Sequence, residues 1–196
     1  MTKICFGGSF NPIHVGHLMV ARAVAEAKGF DRIVLVPSAQ PPHKPDSADL
    51  AGSRDRFKMC QIVTASDPLF EVSDVEILRN GPSYTLDTVT HLKQQGWDQL
   101  SWLIGADMLQ LLPKWHRPTD LMREVTFIIA QRPGYPIDWN SIPAEFQTLR
   151  QNVVPAPLIE ISASQIRQRI KTGHSIRYMV PPEVERYIFD QNLYQK

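Results

Sequence analysis

The first thirty residues place an apolar strand, a pair of glycines and an apolar-periodic helix directly after one another. Residues 4–6 alternate as a first β-strand, Gly7 and Gly8 follow them, and residues 18–28 have helical periodicity. Glycine lets a ligand approach the backbone closely because no Cβ is in the way. A helix N-terminus beyond the glycines offers free N–H groups and a positive dipole end, which suit a phosphate group. The segment therefore predicts a strand–turn–helix unit that binds phosphate.

Strand and helix patterns alternate along the rest of the chain. The apolar run at 32–38 predicts a strand that is buried on both faces. Further strands are predicted at 70–77, 100–104, 125–130 and within 153–161, and helices at 53–66, 85–95, 107–112, 118–123, 162–171 and from Pro181 towards the C-terminus. Ser53, Thr85 and Ser162 are candidate helix caps. The alternation predicts a Rossmann-like α/β fold, a parallel sheet with helices on both faces in a single domain.

His14 and His17 stand on either side of Gly16, three positions apart, so they would share a face if both are helical. Three interpretations are open: local hydrogen bonds at a helix start, a metal shared by the pair, or contacts to phosphate. No acidic or cysteine ligand stands at a companion spacing, which disfavours a metal held by the protein. The glycine turn before the pair favours phosphate, where the imidazoles would stabilise charge on a transferred group.

Composition excludes several classes of function. The net charge is only +1, which argues against a general nucleic-acid surface. No signal peptide and no membrane-spanning apolar run is visible, and Cys5 and Cys60 are predicted to be buried free thiols, so we expect a cytoplasmic protein without nucleic-acid or membrane partners. There is no Walker A motif and no GxGxxG, so neither a P-loop kinase nor an ordinary dinucleotide-binding protein is indicated.

At this point the chain resembles a known family. HVGH at 14–17, after GGSFNP, is similar to the signature of the HxGH nucleotidyltransferases. Five later segments in matching order resemble bacterial nicotinate-nucleotide adenylyltransferase, namely PPHK, PSYT, GAD, LPKW and ISASQIR. The resemblance covers nearly the whole chain and implies one nucleotidyltransferase domain over residues 1–196, helical from about 162. It implies transfer of the adenylyl group of ATP to nicotinate mononucleotide, giving deamido-NAD and pyrophosphate in NAD biosynthesis.

On the ATP side, the resemblance implies that His14, His17 and Arg167 are catalytic and that Arg167 binds the triphosphate. Mg²⁺ would accompany ATP rather than occupy a metal site of the protein. An ordinary capped surface helix remains the alternative for the Arg167 segment, Asp107 could cap a helix instead of binding ribose, and Arg132 could be merely solvated. The remaining ATP contacts expected from the resemblance are Gly7, Gly8, Ser9, Phe10, Gly16, Ile104, Gly105, Asp107, Arg132, Ile161 and Ser162.

On the acceptor side, the resemblance implies contacts from Asn11, His43, Lys44, Tyr84, Thr85 and Trp115. An indole face can stack on a pyridine ring, and N–H groups at a helix start can hold a ring carboxylate, which would favour nicotinate over nicotinamide. The alternatives are a core role for Trp115, a plain cap role for Thr85 and a proline-stiffened turn at the PPHK loop.

The chain departs from the usual family spelling at three places. Ser9 replaces a threonine, Asn11 an aspartate, and Ala163-Ser164 a Ser-Thr pair. Only a role that needs a charge at position 11 is put in doubt. Two rival functions stay open: an adenylyltransferase with nicotinamide mononucleotide or phosphopantetheine as acceptor, and a non-catalytic nucleotide-binding module. The oligomeric state is also open.

Overall fold

Six parallel strands form one sheet in the order β3-β2-β1-β4-β5-β6. The computed structural model describes residues 1–42 and 49–195, so the predictions for His43 and Lys44 lie outside the described residues. The strands are β1 Lys3–Gly8, β2 Arg32–Pro37, β3 Phe70–Val72, β4 Ser101–Gly105, β5 Thr126–Gln131 and β6 Val153–Pro155.

The helices between and after these strands cover both faces of the sheet. They are α1 Val15–Lys28, α2 Ser53–Ser66, α3 Val75–Leu78, α4 Thr85–Gln94, α5 Ala106–Leu109, α6 Pro118–Glu124, α7 Ala163–Lys171 and α8 Pro182–Asp190. Three 3₁₀ segments lie at Leu112–Lys114, Trp139–Ser141 and Ala144–Asn152. No helix in the described ranges combines the length and the apolar character needed to cross a bilayer.

The side chains of β1 alternate between two cores because neighbouring residues of a strand point to opposite faces. Ile4 packs in the core that also receives α1, α2, α7 and α8, while Cys5 packs in the core below α4 and α6. Both residues are fully buried. The free buried thiols and the parallel sheet with helices on both faces are therefore confirmed.

The order of the strands reverses beside β1. The chain builds β2 and β3 on one side of β1 and then crosses to place β4 on the other side. The carboxyl ends of β1 and β4, at Gly8 and Gly105, therefore border the crevice where such sheets bind ligands.

The prediction of a strand at 70–77 is wrong for the residues after Val72, where β3 ends. β3 is an edge strand that pairs only with Ile33–Leu35 of β2, so nothing holds the next residues in the sheet. The chain turns there into α3, which buries Val75 and Glu76 and leaves Leu78 exposed. An edge strand and a helical turn share the same apolar spacing over so few residues.

Several helix ends differ from the sequence prediction. α1 begins at Val15, earlier than position 18, because His14 caps it. The cap of α2 is Gly52 rather than Ser53. The helix predicted at 107–112 is two pieces, α5 and a 3₁₀ turn that includes Pro113 instead of ending before it. The cap at Ser162 is confirmed, since its hydroxyl accepts a hydrogen bond from the backbone N–H of Gln165.

Candidate active site

In the loop between β1 and α1, the side chain of Phe10 packs back against Gly8. Phe10 has a positive φ of 42° and is 1% exposed. A Cβ on Gly8 would lie 3.1 Å from the Phe10 ring, and one on Gly7 would lie 2.7 Å from the Trp102 ring. The space that these glycines leave on their side-chain side is therefore filled by protein. Internal packing accounts for the two glycines before any ligand is considered.

His14 and His17 are brought together as stacked rings. Their ring centroids are 3.6 Å apart with an interplanar angle of 28°. His14 is the extended cap residue and His17 is the third residue of α1, so only one of the two is helical. The backbone N–H of His14 donates to Nδ1 of His17 at 3.3 Å. In a neutral ring the proton then lies on Nε2, so His17 offers an N–H donor at that atom.

Gly16 provides the room for this stack. A Cβ at position 16 would lie 3.0 Å from Nδ1 of His14 and 3.4 Å from Ile159. The His14 ring therefore fills the space on the side-chain side of Gly16. While the His14 ring keeps this orientation, position 16 has little room for a side chain.

Burial keeps both imidazoles uncharged at neutral pH. Loss of hydration lowers the pKa of His14 to about 4. The pKa of His17 is also lowered well below its ordinary value, first by burial and then by the neighbouring His14. The pair therefore offers neutral hydrogen-bond donors to a ligand, and positive charge must come from other groups.

Arg167 brings such a charge to the same loop. From α7 its Nη1 donates to the backbone carbonyl of Asn11 at 2.9 Å, and its Nη2 lies 3.4 Å from Oγ of Ser164. Its Nε is buried without a hydrogen-bond partner among the described residues. Within residues 1–42 and 49–195 the guanidinium makes no ion pair, so its charge is available to an anionic ligand.

Asn11 has a structural position that differs from its predicted contact with the mononucleotide. Its Nδ2 donates to the carbonyl of Asp49 at 2.8 Å, and its Oδ1 accepts from the backbone of Ala51 at 3.0 Å and from the Tyr194 hydroxyl at 2.8 Å. The side chain is 5% exposed and does not line the pocket described below. These contacts explain why an amide is suited to this position.

Arg56 was missed by the sequence analysis. It is 1% exposed and donates to four carbonyls, those of Ser9, Ser38, Ala39 and Ala51, at 2.6–3.1 Å. Burial lowers the pKa of this guanidinium. The side chain joins the loop after β1 to the segments around the end of β2 and the start of α2. A lone arginine in a helical pattern gives no sequence signal for such a role.

The ends of β4 and β5 place the predicted adenosine contacts at one edge of the sheet. Gly105 caps α5, and Asp107, in the first turn of that helix, makes no cap hydrogen bond, so the alternative cap role of Asp107 is not observed. Asp107 is exposed and its carboxylate bends back over Gly105. Ile104 is buried in β4.

The remaining predicted ATP contacts follow strands β5 and β6 in the chain. Arg132 follows β5 and stacks on Tyr135, with its guanidinium carbon 5.3 Å from the ring centroid. Ile161 is partly buried just before Ser162, which caps α7. Both segments belong to the carboxyl edge of the sheet.

One pocket joins the glycine loop to the predicted acceptor residues. It has a volume of ≈ 690 Å³, and its lining includes Gly7, Gly8 and Ser9 together with Tyr84, Thr85 and Trp115. The sequence analysis predicted all six residues as site residues, and the structure places them around one cavity.

The start of α4 forms part of this pocket. Its cap residue is Tyr84, which makes no side-chain cap, and Thr85 is the first helical residue. The alternative that Thr85 is a plain cap is therefore wrong. No side chain in residues 1–42 and 49–195 accepts from the first N–H groups of α4, which is the condition for holding an anion at a helix start. Trp115 is partly buried, and its Nε1 has no partner within the described part of the chain.

Among the residues of the lining that were not predicted, three carry ionisable side chains. His116 stacks on Tyr84 with ring centroids 4.3 Å apart, Lys114 lies beside it, and Glu76 contributes a buried carboxyl. Burial raises the pKa of Glu76, whose Oε1 accepts from the Thr88 hydroxyl at 2.6 Å. Lys114 belongs to the LPKW segment and His116 follows it directly, so that segment was a usable signal, whereas Glu76 fell in a mispredicted strand.

The described residues contain no group of three or more His, Cys, Asp or Glu side chains that could hold a metal ion. The nitrogen donors beside the loop after β1 are the imidazoles of His14 and His17 and the guanidinium of Arg167, and these three residues do not themselves line the pocket. A hard cation such as Mg²⁺ prefers oxygen ligands, which a bound triphosphate supplies.

Comparisons with known proteins agree on one family. The family described as Cytidylyltransferase-like matches residues 5–169. The chain is 42% identical to a Bacillus pumilus protein named "Probable nicotinate-nucleotide adenylyltransferase" and 39% identical to the Bacillus subtilis nicotinate-nucleotide adenylyltransferase, with complete coverage of both chains in each case.

A solved structure shares the fold. The Plasmodium falciparum nicotinic acid mononucleotide adenylyltransferase, complexed with NaAD, superposes with a TM-score of 0.77 at 22% identity. The match covers 99% of this chain and 98% of the other.

The depressed pKa of His14 predicts a loss of stability in mild acid. The unfolded chain binds a proton at this histidine near pH 6.5 and the folded chain only near pH 4, so the stabilising difference is present above 6.5 and lost as the pH falls towards 4. We expect His14→Asn to remove about 2 kcal/mol of the wild-type change in unfolding free energy between pH 7 and 4.5. Urea unfolding at several pH values measures it.

The control for this experiment is His91→Asn, because His91 is exposed on α4. The same pH dependence in His14→Asn and wild type would contradict the assignment of a buried neutral ring.

Proposed function

The chain belongs to the nicotinate-nucleotide adenylyltransferase family, and from this premise we propose how its site transfers the adenylyl group of ATP to nicotinate mononucleotide. Family membership makes it a nucleotidyltransferase enzyme of NAD biosynthesis, as the sequence resemblance predicted. The products of the proposed reaction are deamido-NAD and pyrophosphate.

The observation that supports this proposal most is the shared pocket. Its lining joins a glycine loop beside the paired histidines to an aromatic wall and an uncapped helix start. The first half suits phosphates and the second suits a flat ring that carries an acid. A phosphate acceptor and a triphosphate donor can therefore meet over the loop between β1 and α1.

In the proposed reaction an oxygen of the acceptor phosphate attacks the α-phosphorus of ATP. The bond from that phosphorus to the bridging oxygen of the β-phosphate breaks, and pyrophosphate leaves with the electron pair. Such a reaction depends on holding the groups in line and stabilising charge on the transferred phosphoryl group. His14 and His17 would donate neutral N–H hydrogen bonds to the α- and β-phosphates, and no covalent intermediate is needed.

Arg167 would supply the fixed positive charge on the triphosphate. Its buried Nε lacks a partner among the described residues, and its Nη1 donates to the carbonyl of Asn11, in the loop that leads into α1. The first N–H groups of α7, which Ser162 caps, would add dipoles of the same sign. Arg132 would be a second cation.

The adenosine would bind at the ends of β4 and β5. Asp107 would accept from the ribose hydroxyls, Ile104 and Gly105 would contact adenosine through their backbone, and Ile161 would complete this side. Gly7, Gly8, Ser9, Phe10 and Gly16 would shape the phosphate loop, the last three largely by positioning. The solved P. falciparum relatives are complexes with NaAD and with APC.

The acceptor ring would stack on Trp115, next to the wall formed by Tyr84 and His116. Its carboxylate would accept hydrogen bonds from the N–H groups at the start of α4, where the dipole favours an anion. The neutral amide of nicotinamide would gain less there. His43 and Lys44 stay in the proposal as contacts to the mononucleotide on the basis of the resemblance alone.

Mg²⁺ would enter with ATP, bound by the phosphate oxygens, and would neutralise part of their charge. The proposal includes a cytoplasmic location, which suits the two buried free thiols. It includes no nucleic-acid or membrane partner.

The proposed reaction predicts selective release of pyrophosphate. With ATP and Mg²⁺, nicotinate mononucleotide should be used at least tenfold more efficiently than nicotinamide mononucleotide, because one good hydrogen-bonded charge is worth about 1.5 kcal/mol or more. Phosphopantetheine should give no release. Equal use of both pyridine nucleotides would contradict the proposal that the ring carboxylate binds at the start of α4. Release of pyrophosphate with phosphopantetheine alone would refute the proposed reaction.

His17→Ala should lower kcat about 100-fold, because it removes a donor that acts on charge developing in the transition state. The Kd for Mg²⁺–ATP, measured by calorimetry, should change much less. His91→Ala is the control for the loss of a histidine elsewhere. An unchanged kcat in His17→Ala would be incompatible with the proposed role.

Trp115→Ala should raise the KM for nicotinate mononucleotide about tenfold and leave the KM for ATP within twofold, because stacking acts only on the acceptor ring. The matched control is Trp139→Ala, since Trp139 is another partly buried tryptophan and lies outside the pocket lining. Equal changes in both Michaelis constants would contradict the assignment.

A further inference from the structure

The last residues of the chain fold back against the phosphate loop. After α8 ends at Asp190, the backbone N–H groups of Gln191, Asn192 and Leu193 each bond to carbonyls in the last turn of the helix. Asn192 and Tyr194 both have positive φ, at 52° and 63°. Such backbone angles persist where surrounding contacts fix them, and Tyr194 packs against the core on the side of α1 and α2.

The hydroxyl of Tyr194 forms a hydrogen bond with the side chain of Asn11. Its Oη lies 2.8 Å from Oδ1 of Asn11, across 183 positions of sequence. The backbone N–H of Ala51 can only donate and the carbonyl of Asp49 can only accept, so these two contacts fix which end of the Asn11 amide is oxygen. Tyr194 must therefore be the donor. Burial raises the pKa of Tyr194, so the donor proton is present throughout the neutral range.

Asn11 in turn holds Arg167. Its backbone carbonyl accepts from Nη1 of Arg167 at 2.9 Å, which is the shortest hydrogen bond of that guanidinium to the described residues. The other such contact, to Ser164, measures 3.4 Å. The position of Asn11 therefore sets the position of the cation.

We propose that Tyr194 is a positioning residue for the triphosphate, which acts through Asn11 on Arg167. The inference rests on the proposed function for the identity of the ligand. It assigns a part in ATP binding to the C-terminal segment, which lies outside the 5–169 range that the family shares.

A matched pair of variants tests it. Tyr187, on α8, also donates its hydroxyl to a side chain, Asp55, at 2.9 Å, and that carboxylate does not contact Asn11. Tyr194→Phe and Tyr187→Phe each remove one hydroxyl and one hydrogen bond from the same end of the chain. We expect Tyr194→Phe to raise the Kd for Mg²⁺–ATP about fivefold, the value of one hydrogen bond, and Tyr187→Phe to leave it within twofold.

Kinetics separates positioning from a general loss of stability. Tyr194→Phe should lower kcat/KM for ATP and leave the KM for the acceptor within twofold, whereas Tyr187→Phe should change only the melting temperature. In an Arg167→Lys background, Tyr194→Phe should add less than a twofold further loss in Kd. Equal effects of the two tyrosine variants, or full additivity with Arg167→Lys, would overturn the proposal.

Calorimetry with Mg²⁺–ATP does not depend on turnover. If the wild-type chain binds ATP and releases no pyrophosphate with nicotinate mononucleotide, the proposed function fails while the comparison of the two tyrosine variants still decides the role of Tyr194.

Discussion

A buried cation with no carboxylate partner among the described residues holds the loops around this site in place. Arg56 donates to four carbonyl oxygens on three separate segments. Each of these bonds also gives a backbone carbonyl the hydrogen-bond donor that it would otherwise lack inside the protein. Removing one partner of such a network leaves the rest desolvated and unpaired, which costs more than the bond itself contributes. The loop after β1, which leads through His14 into α1, depends on this arrangement.

Different side chains of the site supply neutral hydrogen-bond donors and positive charge. The stacked histidines are kept neutral by burial, so they direct hydrogen bonds without repelling each other. Arg167 brings a guanidinium to the same loop, where it donates to the carbonyl of Asn11. The small net charge of the chain is consistent with this division, since the cations that a triphosphate needs are local rather than spread over the surface.

The sequence predicted what depends on local pattern. The sheet, the order of its elements and the helix start at Ser162 follow from periodicity and capping, and the family resemblance was confirmed. The roles of individual site residues stay predictions. What could not be predicted depends on long-range contacts: the burial of Arg56 and Glu76, the docking of Tyr194 on Asn11, and the end of β3 where its neighbour stops pairing. None of these leaves a periodic or motif signal, because each depends on which other segment of the fold packs against the residue.

The contact between Gly16 and His14 changes what the four-residue histidine motif means. A methyl group at position 16 would meet the His14 ring in the protein alone, with no nucleotide bound. Packing alone therefore favours glycine at one of the four positions. A relative that had lost its catalytic activity but kept its fold would still be expected to retain that glycine. In the proposed reaction the second histidine, which offers an N–H donor, is the position at which loss of the motif would reveal loss of catalysis.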